Sequence, residues 1–303
     1  MGEFSLKFRG VRGSYPIADI DFLQYGGNTA CVEVNVGGHL IILDAGSGMI
    51  NLGNDLMQKY ITSGVNSDER TPINVTLLLS HIHQDHLQGF TFFKPLHLSS
   101  TQINVFGNIS EKESLKDEFS NILFGRSFPL DLNDISGNVD FYNLADEQVI
   151  ILRQNMKPII IKSSDNFEYK YDDVVIENYK SYAHPQDGVT IYKISYKGKS
   201  LVYATDKESY LGGDKKLIDI ARNCNLLIHD AQYTTEDYED VYTSKQGYGH
   251  STFDMAIDVK KQANAEKLVF FHYAPEYSDS KLDRIAQQYS DIMARENMVI
   301  DLI

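Results

Sequence analysis

The chain has 303 residues, is 42% hydrophobic and 23% charged, and carries a formal net charge of −14. A chain of this length buries roughly three-quarters of its unfolded surface, and no apolar run approaches the roughly 20 residues that span a bilayer. The acidic balance excludes a general nucleic-acid binder, which gains affinity by neutralising phosphates with Lys and Arg, but not a small anionic substrate drawn to bound metal ions.

Residues 1–10 lack the basic-then-apolar pattern of a secretory signal, so a cytoplasmic protein is expected. Residues 4–11 and 30–36 alternate in the manner of strands, with Gly37-Gly38 as a hairpin turn. Downstream, short apolar runs repeatedly end on a polar residue capable of chemistry. Residues 39–43 lead into Asp44, 73–79 into Ser80-His81-Ile82-His83, and 200–204 into Thr205-Asp206. Residues 225–228 lead into His229-Asp230, and 267–271 into His272. Such runs read as buried strands of an α/β fold, and ligands at several strand ends place a site along one sheet edge.

Helices are predicted over 214–223, 251–264 and 280–296, the first with a short apolar face. Residues 99–180 are the least legible. A helix is expected over 112–124 and extra strands within 149–171, together forming a cap or insertion in an otherwise single domain spanning 1–303. Cys31 and Cys224 show no metal-ligand spacing and read as reduced, partly buried thiols.

His81-Ile82-His83-Gln84-Asp85-His86 packs four potential ligands into six residues behind a strongly apolar strand. In an extended loop His81 and His83 point to one side, while a helical turn near Asp85 directs Asp85 and His86 towards a second ion. His184, Asp206 and His272 supply the remote donors. Imidazole and carboxylate suit zinc, the expected metal, and also manganese or iron.

These residues resemble the metallo-β-lactamase-fold superfamily, whose His-x-His-x-Asp-His signature matches residues 81–86. The resemblance implies a four-layer αββα sandwich with two divalent ions at one edge. It implies that His81, His83 and His184 bind one ion, that Asp85, His86 and His272 bind the other, and that Asp206 bridges them. Gly10-Val11-Arg12-Gly13-Ser14, Tyr25-Gly26-Gly27-Asn28-Thr29 and Leu43-Asp44-Ala45-Gly46 are similar to elements of its phosphodiesterase branch. Asp44 is expected either to orient ligands or to cap the following turn. Arg12 is expected either to touch substrate or to make a structural ion pair.

One scaffold hosts several chemistries. Lactam-hydrolysing relatives generally lack a bridging aspartate, oxygen-reducing di-iron relatives commonly carry Glu where His83 stands, and thioesterase relatives usually add a helical domain after the position of His272. His229-Asp230-Ala231 with Gly249-His250-Ser251-Thr252 instead resembles the paired motifs of phosphodiesterases related to transfer-RNA 3′-processing nucleases, although those usually carry Glu in place of Asp230. The likeness makes His250 the proton donor to the leaving oxygen and Asp230 the acid that orients it. The alternative for His250 is a helix-terminal histidine before an N-capping Ser251.

The expected reaction is attack on phosphorus by a hydroxide shared between the ions, with Asp85, Asp230 and His250 as catalytic residues. A small anionic phosphodiester, such as the cyclic nucleotide cyclic AMP, is the expected substrate. A transfer-RNA 3′-processing nuclease is the enzymatic alternative, and a metal-containing ligand sensor without turnover is the alternative of another class. A homodimer is the commonest assembly for soluble oligomers, but no residue pattern specifies one.

Overall fold

The computed structural model of the chain describes residues 2–109, 114–125, 128–210 and 212–303. The first sheet contains β1 (Phe4–Gly10), β2 (Cys31–Val36), β3 (His39–Leu43), β4 (Asn74–Leu78), β5 (Gln102–Gly107) and β6 (Asn138–Asn143). The second contains β7 (Gln148–Leu152), β8 (Ile159–Lys162), β9 (Val174–Ser181), β10 (Val189–Tyr196), β11 (Lys199–Ala204), β12 (Leu226–Asp230), β13 (Lys267–Phe271) and β14 (Ile292–Met293). A last strand, β15 (Val299–Asp301), returns to the first sheet, giving the orders β15-β1-β2-β3-β4-β5-β6 and β14-β13-β12-β11-β10-β9-β7-β8.

Side-chain alternation decides which face each strand offers to which layer. In β3, Ile41 and Leu43 join the core between the sheets, while Ile42 faces outward onto a second core. Helices α1 (Gly48–Thr62) and α2 (Leu115–Leu123) contribute Met49, Leu52, Leu56 and Phe119 to that outer core. On the far side, α3 (Lys215–Ala221) and α5 (Phe253–Ala263) cover the second sheet, with α4 (Thr235–Tyr238) and α6 (Asp279–Ala286) beside them. The layers are helix, sheet, sheet, helix, as expected. Among the described residues no helix is long and apolar enough to cross a membrane.

The topology positions the site. Strands β3 to β6 run parallel, as do β11 to β14. Strands β1 and β9 point the same way as these, each lying two antiparallel steps from a parallel strand. The chain therefore leaves β1, β3, β4, β9, β11, β12 and β13 at one edge, and the ends of these strands with the loops after them carry Arg12, Asp44, the seven expected metal ligands, Asp230 and His250.

The hairpin turn falls at Gly37-Gly38, both at positive φ (54° and 79°), with Val36 paired to His39. Some expectations need correction. Residues 280–296 are not one helix: α6 ends at Ala286, and Ile292–Met293 pair with Val269 and Phe270 on the edge of β13. Tertiary packing overrides helical propensity here, with Tyr289 stacked on Phe253 and Lys260 paired to Asp291. The strands within 99–180 belong to the two sheets, and the helix expected over 112–124 spans Leu115–Leu123. Lys112 lies outside the described residues. Cys31 and Cys224 are buried free thiols.

Candidate metal centre

Three left-handed residues shape the site edge: Asp44 after β3 (φ 59°), Asp206 after β11 (φ 49°) and His272 after β13 (φ 64°). For a residue other than glycine this conformation costs about 1–3 kcal/mol and collects at functional sites. All three turn abruptly out of a buried strand into one shared space.

The seven expected donors meet there in two groups. His81, His83 and His184 form one, and Asp85, His86, Asp206 and His272 the other, with the atoms of each group within 4.8 Å of one another. Asp206 faces both. Its Oδ1 lies 3.2 Å from Nε2 of His86 and 3.2 Å from Nε2 of His272, while its Oδ2 lies 3.6 Å from Nε2 of His81 and 3.9 Å from Nε2 of His184.

Hydrogen bonding fixes how the rings present their lone pairs. Nδ1 of His86 contacts the Asp44 carboxylate at 2.8 Å, Nδ1 of His272 the Gln232 side-chain oxygen at 2.9 Å, and Nδ1 of His184 the carbonyl of Gly249 at 3.0 Å. These partners only accept, so each Nδ1 carries a proton and each Nε2 is the atom turned towards the shared space. Nε2 of His86 and Nε2 of His272 nevertheless face each other at 3.2 Å, with Asp85 Oδ2 at 3.4 and 3.3 Å from them. With Asp206 Oδ1 as the fourth, atoms crowded this closely repel unless a cation, a shared proton or a metal ion, lies among them. In the other group, Nε2 of His81 is buried without any hydrogen-bond partner. The donors therefore fit metal ions in both groups.

Burial is the largest influence on the protonation of these groups. It holds His81 well below the usual histidine range, and His184 below it, favouring the neutral imidazole that a metal needs. For Asp85 and Asp206 burial acts upward but is outweighed by the imidazoles, led by His86 for Asp85 and His272 for Asp206, and both lie well below the usual carboxylate range. Burial of His86 is outweighed by Asp206, Asp85 and Asp44, which raise it well above its usual range. Three carboxylates around one ring concentrate negative charge that a dication balances.

Asp44 does more than cap a turn: it accepts from Ser80 N–H (2.7 Å), Ser80 Oγ (2.8 Å) and Tyr203 Oη (2.8 Å) as well as meeting His86. Arg12 is fully buried and donates to the carbonyls of Gly26 (2.7 Å) and Tyr277 (2.6 Å), tying the loop after β1 to the segment after β13. Substrate contact is thereby excluded for Arg12, but its loop reaches the centre, because Ser14 N–H donates to Asp85 Oδ2 at 2.8 Å.

His250 lies against the centre, stacked on His272 at 5.2 Å and edge-on to His184 at 5.2 Å. Its Nδ1 meets Asp230 Oδ2 at 2.7 Å. Asp230 is fixed by the N–H groups of Gln232 (3.0 Å), Ser251 (3.3 Å) and Lys207 (3.3 Å). Burial pushes the imidazolium of His250 down, but Asp230 outweighs it and the net shift is upward. Thr252, not Ser251, caps α5; the Ser251 hydroxyl instead donates to the carbonyl of Lys207.

Glu208 drew no attention in the sequence. Its carboxylate accepts from Gly247 N–H (2.7 Å), Gly249 N–H (3.0 Å) and the Tyr238 hydroxyl, holding the loop that delivers His250. The signal available was its position two residues after Asp206. Gly249 itself sits at φ 88°, and a Cβ there would lie 2.2 Å from Nδ1 of His184, so the ligand ring fits only against glycine.

Comparisons place the chain among known proteins. Ribonuclease Z of Picrophilus torridus is 22% identical over 300 residues, covering 92% of this chain and 88% of the relative. Among solved structures, the metallo-beta-lactamase fold protein YhfI from Bacillus subtilis aligns with TM-score 0.64 at 16% identity, covering 98% of each chain. The short form of human tRNase Z aligns with TM-score 0.60 at 17% identity, covering 99% of each; at such identities the structural likeness is one of fold. The family described as the beta-lactamase superfamily domain matches residues 39–273, from the hairpin strand to the residue after His272. The chain belongs to that family.

Proposed function

We propose that the chain is a phosphodiesterase working with two divalent ions, one held by His81, His83 and His184, the other by Asp85, His86 and His272, with Asp206 shared. The observation that carries this reading is the two-sided placement of Asp206, each oxygen facing a different group of imidazoles. Zinc suits the donor set, and manganese or iron would also be accepted. Bound there, such ions supply Lewis acidity towards a phosphoryl oxygen and lower the pKa of water to about 7.

The chain's own residues do the rest. Asp44, Gln232 and the Gly249 carbonyl keep the ligand rings oriented, and Ser14 N–H holds Asp85. His250, with Nδ1 committed to Asp230, has Nε2 free to donate a proton to the departing oxygen. A site that only stored metal would have no use for that donor, which favours an enzyme over a sensor.

The comparisons shift the substrate reading. The expected cyclic nucleotide gains nothing from the relatives, whereas their name, ribonuclease Z, supports the alternative of transfer-RNA 3′-end cleavage. We adopt that alternative. With 42 acidic against 28 basic residues, recognition must depend on contacts near the site rather than on a broadly basic surface.

Zinc-loaded protein incubated in parallel with a 3′-extended transfer-RNA precursor and with cyclic AMP tests the choice. Cleavage of the precursor at one position, at least about tenfold more efficient than cyclic AMP hydrolysis, is expected, a gap of about 1.4 kcal/mol in activation free energy. The reverse order would restore the cyclic nucleotide. Two bound ions with no turnover of any phosphodiester would favour the sensor.

A further inference from the structure

A cavity of about 320 Å³ opens beside the His250–His272 side of the centre, between Ser14, Tyr15, Gln232, Tyr233, Lys245 and the segment 274–281. Its size is at the lower end of ligand pockets, which span roughly 300–1,000 Å³. Three contacts join it to the centre. Ser14 N–H donates to Asp85, Gln232 Oε1 accepts from His272, and the Tyr233 ring lies edge-on to His250 with centroids 6.1 Å apart. On the phosphodiesterase reading His250 protonates the departing oxygen, so this cavity adjoins the leaving group.

The walls are aromatic and cationic. Tyr15 presents a half-exposed ring, and Tyr233 is buried. The Lys245 ammonium lies 6.0 Å from the Tyr233 centroid and 5.4 Å from that of Tyr248, and among the described residues it has no carboxylate partner. The second lysine of the cavity, Lys281, is paired with Asp237 at 2.7 Å, and Asp237 also accepts from the Tyr277 hydroxyl. Glu276 is solvent-exposed and makes only a long 3.5 Å contact with the Tyr15 hydroxyl, leaving its charge to be screened by water. Lys245 is only partly exposed, and its backbone is anchored through Lys245 N–H to the Tyr238 carbonyl. Asp237 and Glu276 line the same cavity, but one is taken by Lys281 and the other is turned to solvent, so the unpaired Lys245 ammonium is left to meet an anionic ligand.

Resting on the phosphodiesterase reading, with hydroxide attack on phosphorus breaking the bond to the 3′ oxygen, we propose that this cavity receives the nucleoside whose 3′ oxygen departs and takes the proton of His250. Tyr15 and Tyr233 would face its base, and Lys245 would bind a phosphate carried by that nucleoside on the side away from the cut. Aromatic faces accept any base, and an ammonium–phosphate contact is charge-assisted. A cyclic mononucleotide offers no such second phosphate, whereas an RNA chain offers one at every step. Lys245 is thus a specificity-determining residue that reads chain continuation.

The test compares uridylyl-uridine with its 5′-phosphorylated form on zinc-loaded protein, with bis(p-nitrophenyl) phosphate as a reference. Wild type is expected to favour the phosphorylated dinucleotide about tenfold in kcat/KM, mainly through KM, as one charge-assisted contact gives. Lys245→Gln should bring that ratio to about one, and Lys245→Arg should retain most of it. A ratio internal to each variant is insensitive to how much protein is folded. Turnover of the nitrophenyl diester with neither dinucleotide cleaved, with no preference in wild type, or with the preference intact in Lys245→Gln, would overturn the subsite alone. No turnover of any of the three would overturn the phosphodiesterase reading with it.

Discussion

Asp206→Ala is expected to abolish tight binding of one of two zinc equivalents and to lower phosphodiester turnover far more than the roughly 10–100-fold typical of changes to the groups supporting a ligand. The reason is geometric. Oδ1 serves the His86 and His272 side and Oδ2 the His81 and His184 side, so one truncation removes a donor from both groups. It also removes a negative charge that the surrounding imidazoles stabilise in a fully buried position. Equilibrium dialysis with metal analysis, run beside turnover of bis(p-nitrophenyl) phosphate, measures both. Two tightly bound equivalents with near-normal turnover in the variant would remove Asp206 from the centre.

The second large effect belongs to His250. His250→Ala should lose about 10²–10⁴-fold in kcat on substrates whose leaving group is a ribose hydroxyl, the range for a positioned general acid. It should lose far less on bis(p-nitrophenyl) phosphate, because nitrophenolate departs without a proton. Equal losses on both would make His250 a packing residue against His272 and His184. The pH profile gives a separate readout. Burial lowers the pKa of His250 and Asp230 raises it, with a net upward shift. The acid form therefore persists to higher pH with Asp230 present. In Asp230→Asn the pKa falls, and the alkaline limb of kcat should move to lower pH. Bound dications push the same way as burial, which makes the Asp230 contact more necessary in the loaded enzyme.

Much of the site was legible because its donors are distinctive residue types immediately after apolar runs. His81, His83, Asp85 and His86 sit in one short loop, and the strand-end positions of Asp206 and His272 suggested a common edge before any topology was known. The left-handed φ of Asp44, Asp206 and His272 was not legible, since no local residue pattern demands it; the turn is imposed by packing around the centre. Arg12 illustrates a different limit: a charged residue in a site-like motif is buried against backbone carbonyls, and only tertiary contacts reveal it. Glu208 works through three donors in the chain 30 to 41 residues away, a separation sequence spacing cannot show.

The fold divides similarly. The apolar runs ending at Leu43, Ala204 and Phe271 became strands ending at those residues. Residues 280–296 failed because a helical-looking pattern competes with an open strand edge on β13, and the edge takes Ile292 and Met293. Residues 99–180 were obscure because β5 and β6 extend one sheet while β7, β8 and β9 extend the other. Their periodicity reflects two packing surfaces that the local sequence cannot assign.

Titrating metal-free protein with zinc while following hydrolysis of bis(p-nitrophenyl) phosphate tests the dinuclear phosphodiesterase most directly. Two tight equivalents, with turnover rising as the second binds, is the expected result. Saturation at one equivalent, or two bound equivalents with no turnover, would contradict it.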